Sequence, residues 1–513
     1  MSTNRRDFIK YVVAGAVASG CPLDLSLVAA QKGEQSAAAK PVVEGEDNKI
    51  CHQVRDGKVF TRPPASAKHD VVIVGGGISG LTAAYLLQHR DFLLLEKEPH
   101  WGGNAYAMEY QGSTYATGSA FLYKHENAYA FAKEIGLQPL PVNFSDGTII
   151  NGEFVADTWG DGLDKLPYPA PVREGFKKFK KEILAIDLNK RGEELFALPL
   201  SDLLKGYPEE LSQWWDGYGL SNYGAACEDA AAAVGVLELQ ELVSESHADD
   251  RCTWPGGLDA ITTKLVEILQ PKFAERMQAG ATTVRVVTEK EEVQVTYMQG
   301  GELKTVAAKA VIMATPKFIT QRIVEGLPDK QNEAMHQIRY APFAVVNLIF
   351  DKQVFGKGYD TWCPGSTFTD FVVADWVLRK NQAGYQAKYN ILTCYTPLHE
   401  EDRMTLIAEF SARRLAANVL RDFQKLLADT NVDPLEVHIY RRGHPMFMAT
   451  PKLFTEVQPI VRQPMDRVFF ANTDSEGPES EANGAIQAAQ RAVKEVEARL
   501  AGKPQPKETA LAS

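Results

Sequence analysis

Between His69 and Asn104 the chain reads HDVVIVGGGISGLTAAYLLQHRDFLLLEKEPHWGGN, and this stretch constrains the fold more than any other. Val71 to Val74 form an apolar, β-branched run too short for a helix, so the pattern predicts a buried parallel strand. Gly75, Gly77 and Gly80 come next in G-x-G-x-x-G order and lead into the helix formers from Leu81 to Leu87. Gly75 allows the tight turn, Gly77 lets backbone approach a pyrophosphate, and Gly80 lets helix pack on strand. The amides of Ile78 and Ser79, at the helix start, face the phosphates. A second apolar run, Phe92 to Leu95, ends on Glu96, placed to hold the adenosine ribose hydroxyls, with Lys97 beside it. An acid at that position argues against a 2′-phosphate, which leaves NAD or FAD.

The residues after Glu96 decide between the two. EKEPHWGGNAYAMEYQGSTYATGSAFLY resembles the extended FAD-binding motif of the flavin amine oxidase superfamily, which includes amine oxidases, phytoene desaturases and protoporphyrinogen oxidases. Gly102 and Gly103 match its Gly-Gly pair, Asn104 replaces the usual Arg, and Thr117-Gly118-Ser119 resembles a later Gly-rich patch near the flavin. Near the other end, Phe470-Ala471-Asn472-Thr473-Asp474 looks like the closing motif. The resemblance implies that Asp474 binds the ribitol chain and that Ala485 and Ile486 open a helix over the isoalloxazine. Ala310 to Pro316 resembles the strand and turn that pass beneath the cofactor. The implied cofactor is noncovalent FAD, since no His or Cys matches a flavin linkage.

At the N-terminus, Asn4-Arg5-Arg6-Asp7-Phe8-Ile9-Lys10 resembles a twin-arginine export signal. The apolar stretch after it is too short for a stable membrane span. Ala18-Ser19-Gly20-Cys21 resembles a lipobox, while cleavage after Val28-Ala29-Ala30 is the competing reading. The expectation is a periplasmic or otherwise exported enzyme, meeting a membrane only through its signal or a lipid anchor on Cys21. Its expected partners are the export machinery, a small-molecule substrate and a periplasmic electron acceptor.

Length and composition agree with a two-domain enzyme. The 513 residues exceed a single core, and 45% apolar with 24% charged residues are ordinary globular values. A formal charge of −11 makes nucleic acid a poor partner. The six cysteines have no C-x-x-C or C-x-x-C-H spacing, so no metal or attached haem is expected, and buried free thiols are.

The expected fold class is α/β. A discontinuous Rossmann-like FAD-binding domain (67–135, 250–320, 440–500) receives a mixed α+β substrate domain (136–249, 321–439). Residues 1–30 read as signal, 31–66 as a linker with little reason to fold, and 501–513 as a flexible tail. Residues 283–297 alternate as one strand.

The resemblance implies hydride transfer from a substrate carbon to flavin N5, with the protein supplying position and dryness. The lysine common in amine oxidases falls, by the resemblance, on the strand Ala344 to Phe350, where Asn347 or a neighbour stands instead and no Lys occurs before Lys352. The aromatic pair that sandwiches an amine has no evident counterpart. His444 is a candidate general base, with a hydrogen-bonded structural histidine as the alternative. Trp362, Phe368, Asp370, Phe371, Asp375 and Trp376 form an aromatic–acidic cluster suited to a cation, or to a sheet with one buried face. The expected function is dehydrogenation of an amine or other small organic substrate. The alternatives are a desaturase or isomerase acting on a polyprenoid-like molecule, and a noncatalytic flavoprotein partner.

Overall fold

A computed structural model describes residues 40–243, 250–428, 432–478 and 481–505. The twin-arginine motif, the lipobox at Cys21, the alternative cleavage site and the end of the tail lie outside the described residues.

The apolar run before Gly75 is the strand Lys68–Val74, with its last four residues buried. It pairs in parallel with Phe92–Leu95 on one side and Glu302–Met313 on the other. Met277–Gln278 extends this sheet beyond Phe92–Leu95, and the strands Glu292–Gln299 and Ala281–Glu289 extend it past Glu302–Met313. Val468–Phe470 pairs in parallel with the end of Glu302–Met313. Strands buried on both faces need apolar side chains throughout, and helices supply the cover here. Ile78–Leu86, Asp259–Phe273 and Ala482–Leu500 bring Leu81, Ile261, Leu265, Ile486 and Val496 onto Val71, Ile73 and Phe92. Gly80 is required for this: a Cβ there would fall 1.7 Å from the carbonyl oxygen of Gly75.

An eight-stranded mixed sheet forms the second layer. Its order runs from Val42–Gly45 through Glu436–Phe447, Tyr340–Phe350, Asn390–Pro397, Asp370–Val373, Asp360–Trp362 and Gly147–Ile150 to Glu153–Val155. The amphipathic helix Glu409–Leu426 covers one face with Leu415, Val419 and Phe423. The helices Ala170–Leu184, Glu209–Tyr223 and Ala232–Leu242 form a further core in which Trp159, Trp214, Trp215 and Tyr218 pack ring on ring.

Three expectations change. The strand Glu436–Phe447 belongs to the eight-stranded sheet through its long antiparallel pairing with Tyr340–Phe350, so the substrate layer extends past residue 440. Residues 283–297 are not one strand: Lys290 takes a positive φ of 53° and turns the chain into a hairpin. Part of the expected linker is ordered, because Val42–Gly45 finds a backbone partner at the edge of Glu436–Phe447. Among the described cysteines all are free, four of them buried and Cys51 half-buried. No helix among the described residues is long and apolar enough to cross a membrane.

Candidate functional site: a dinucleotide crevice and an acid-lined cavity

The first strand delivers Gly75, Gly77 and Gly80 to the N-terminus of the helix Ile78–Leu86. Gly102 returns alongside, donating its N–H to the Gly76 carbonyl at 3.0 Å and bridging Gly77. Gly77 and Gly103 then face one another so closely that a Cβ on Gly103 would lie 3.0 Å from the Gly77 Cα. Glu96 is buried at the end of its strand, accepting from the N–H groups of Gly76 at 2.6 Å and Glu98 at 2.8 Å. Burial raises its pKa, and these amides oppose that shift. Bare backbone at a helix start beside a fixed carboxylate fits the diphosphate and ribose of an adenine dinucleotide. Ile78 and Ile486 pack into the core behind this turn, and Ser79 Oγ donates to the Ala471 carbonyl.

Other expected contacts are reassigned. Lys97 is held by Glu98 and lies 3.7 Å from Glu46, so its charge is already paired within the protein. Asn104 turns its amide to the Pro445 carbonyl at 2.7 Å. In its neighbourhood a buried guanidinium arrives from another strand: Arg442 donates to the carbonyls of Thr117 and Gly103 and to Thr117 Oγ1. The pattern RRGH offers no means of choosing Arg442 over Arg441, because only the strand's facing separates them.

Asp474, expected to hold ribitol, is buried and engaged by the protein. It accepts from Lys317 Nζ at 2.6 Å, the Lys317 N–H at 2.8 Å and Tyr340 Oη at 2.7 Å. Its carboxylate is therefore committed to Lys317, a wholly buried lysine that no sequence motif singles out. Burial lowers the Lys317 pKa, and the Asp474 charge resists that shift. Ala485 lies in the first turn of the helix Ala482–Leu500, and Ala482 faces a cavity on the other side of the crevice.

That cavity, of about 170 Å³, lies between the crevice and the eight-stranded sheet. Asn104, Thr117, Gly118, Ser119 and Arg442 line it on the crevice side. Phe343, Val345, Trp362 and Tyr395 supply its sheet wall, and Glu126, Glu238, Asp360, Asp370 and Glu481 also line it. Trp362 and Asp370 are cross-strand partners, which explains their shared face. Asp370 accepts from Thr369 Oγ1 at 2.6 Å and Ser221 Oγ at 2.7 Å. Arg251 pairs with Asp146 behind the wall and reaches Asp360 only at 3.7 Å. Asp360 Oδ1 is left buried without a hydrogen-bond partner. Burial, followed by the charges of neighbouring carboxylates, pushes Asp360 well above the usual carboxylate range. Burial also raises Asp370 and Glu126 to about 7 each.

Four candidates stand elsewhere. Asp375 pairs with Arg379 at 2.7 Å, and Trp376 donates from Nε1 to the Val142 carbonyl at 2.9 Å. The alternation that aims Asp370 inward ends with the strand at Val373, so neither lines the cavity. Asn347 lies within its sheet, accepting from Thr393 Oγ1 at 2.7 Å, while Val345 faces the cavity instead. His444 packs beside Phe318, with ring centroids 4.6 Å apart, outside the cavity lining. Burial and the Arg403 charge lower its pKa to about 4.

Residues 78–497 match the family model of flavin containing amine oxidoreductases. An oxidoreductase, PigB, of Serratia sp. (strain ATCC 39006) is 22% identical over 496 residues, covering 81% of this chain and 73% of that protein. Flavin-containing amine oxidase B of Homo sapiens is 22% identical over 477 residues, covering 84% of this chain and 86% of that one. The structure of putrescine oxidase bound to putrescine superposes with a TM-score of 0.63 at 17% identity, covering 84% of this chain and 99% of the other. The two-layer fold is thus shared with a solved oxidase, and the crevice residues fit FAD. The chain belongs to the flavin-containing amine oxidoreductase family and is an FAD-dependent oxidoreductase.

Proposed function

We propose that the substrate is a small amine that enters as a cation and is dehydrogenated in the cavity beside the FAD crevice. The observation that carries this reading is a cavity beside the crevice lined by five carboxyl residues, Glu126, Glu238, Asp360, Asp370 and Glu481. Buried carboxyl groups crowded into one cavity resist ionising until a cation arrives, and an ammonium supplies both donors and charge. Trp362 and Tyr395 add aromatic surface, which favours a cation further. Such a lining suits a polyprenoid hydrocarbon poorly.

When bound, FAD would supply the oxidising power as acceptor of the hydride from the carbon beside nitrogen. The chain's own residues do the rest. Phe343, Val345 and Trp362 exclude water, Asp360 and Asp370 hold the cationic end, and a cavity carboxylate accepts the proton that the ammonium loses. From the strand Tyr340–Phe350, where an amine oxidase lysine would be sought, Phe343 and Val345 line the cavity and no lysine does, which supports an acceptor other than oxygen, such as a periplasmic carrier or quinone. The Arg5-Arg6 motif supports export of the folded, FAD-loaded enzyme.

Anaerobic mixing of the FAD-loaded protein with a panel of primary amines, secondary amines and uncharged alcohols tests the substrate class. Bleaching of the flavin spectrum by amines alone is expected. Bleaching only by uncharged compounds, or by nothing in the panel, would overturn the reading.

A further inference from the structure

The segment after residue 40 is anchored to both layers. Val42–Gly45 extends the eight-stranded sheet by parallel pairing with His438–Arg441. The contact is close: Gly45 has φ +153°, and a Cβ there would lie 2.4 Å from the Arg441 carbonyl oxygen. The chain then leaves that sheet and crosses to the loop after Glu96. Asp47 donates its N–H to Glu98 Oε1 at 3.0 Å, and the Glu46 carboxylate lies 3.7 Å from Lys97 Nζ. Farther on, the helix Lys49–Arg55 rests against Ala281–Glu289 and Lys317–Ile323. Arg62 pairs with Glu289 at 2.6 Å, and the Ser66 N–H meets the Thr305 carbonyl at 2.9 Å.

These anchors lie on either side of the crevice. Lys97 and Glu98 directly follow the ribose-binding acid Glu96 on the nucleotide wall. Glu46 also feels the charge of Arg442, on the strand of the opposite wall. One carboxylate thus sits among cations of both walls, and Arg442 itself grips Gly103 and Thr117 in the FAD-binding loops.

We infer that residues 40–60 are a cofactor-retaining strap, binding the two walls of the FAD crevice together through Glu46, Asp47 and the Val42–Gly45 strand. FAD held without a covalent bond leaves when its crevice opens. Opening requires the edge strand to peel away and the Glu46–Lys97 and Asp47–Glu98 contacts to part. Ties of this kind act on the dissociation rate more than on association.

The test uses full-length, FAD-loaded protein and two strap variants, Glu46→Gln and Gly45→Val. Neither alters a residue of the glycine turn or the cavity. FAD release is followed by the rise in flavin fluorescence after dilution. Strap opening is followed independently by maleimide labelling of Cys51, mapped by peptide mass spectrometry, since the other four described cysteines are buried. Release should accelerate about tenfold in both variants, with Cys51 labelling faster in them and slower when FAD is bound. Thermal unfolding in the presence of saturating FAD confirms that each variant remains folded; should Gly45→Val not fold, Glu46→Gln alone decides. Release within twofold of wild type, or Cys51 labelling indifferent to FAD, would overturn the proposal.

Discussion

Lys317 Nζ lies 2.6 Å from Asp474 Oδ1, and both side chains are wholly buried. The pair joins the turn after Glu302–Met313 to the segment after Val468–Phe470, and these two strands are themselves partners. Removing one member leaves the other charge without compensation. Lys317→Met should therefore lower stability by about 3–5 kcal/mol, measured by urea unfolding. Joint replacement, Lys317→Met with Asp474→Leu, should recover much of that loss. A single variant as stable as wild type would show that the pair carries no structural weight.

The place of Asp360 among the cavity carboxyl groups predicts a binding defect. Asp360→Asn keeps the shape but leaves a group that cannot ionise beside a bound ammonium, so the substrate KM should rise about tenfold while kcat changes little. Steady-state kinetics with the best amine of the panel measures this. An equal fall in kcat and kcat/KM would assign Asp360 to the transition state instead.

Cavity burial also predicts how stability varies with pH. Asp370 and Glu126 are each raised to about 7, and Asp360 and Glu481 rise further, all chiefly through burial. The folded state thus holds protons that the unfolded chain gives up near pH 4. The associated stability is full below that pH and is lost as pH rises toward 7 and beyond. His444, lowered to about 4, works in the opposite direction between about 4 and 6.5, but it is one group against several. The melting temperature of the amine-free protein should fall between pH 5 and about 7.5. Asp370→Asn should flatten the fall, and a bound amine should raise the melting temperature more at the upper end than at the lower. A flat profile in wild type would count against buried, protonated carboxyls.

Arg442 predicts a cofactor effect. Its guanidinium bonds to Thr117 and Gly103, so Arg442→Ala orphans buried acceptors and loosens the loop carrying the Gly-Gly pair. A stability loss of about 2 kcal/mol, with weaker FAD binding by fluorescence titration, is expected. Lys at this position should rescue only in part, because it lacks the planar fork.

Much of the cofactor side is legible in the amino-acid sequence alone. The glycine spacing, the apolar strand and Glu96 encode local chemistry that one turn must satisfy wherever it occurs. Asp474 and Lys317 are not legible in this way. A motif places the acid but says nothing of a lysine 157 residues away that reaches it first. Asp375 and Trp376 fail for another reason: alternation assigns faces only while a strand continues, and this strand stops at Val373. Glu126, Glu238 and Glu481 come from separate segments, so no window of sequence could assemble them into one cavity. The strap escapes because its order comes from a partner strand almost 400 residues later, not from its own polar composition.

The parallel pairing of Lys68–Val74 with Glu302–Met313 also shapes how the molecule is made. Asp70 and Lys309, bound to each other at the edge of that pairing, stand 239 residues apart in sequence. During synthesis the run Val71 to Val74 therefore emerges long before the strand that will shield it. Contacts of such range form slowly, because loop closure must precede any gain from pairing. The nascent chain thus carries an exposed, β-prone segment while 239 further residues are added, and its yield should depend on chaperone capacity more than its finished stability suggests.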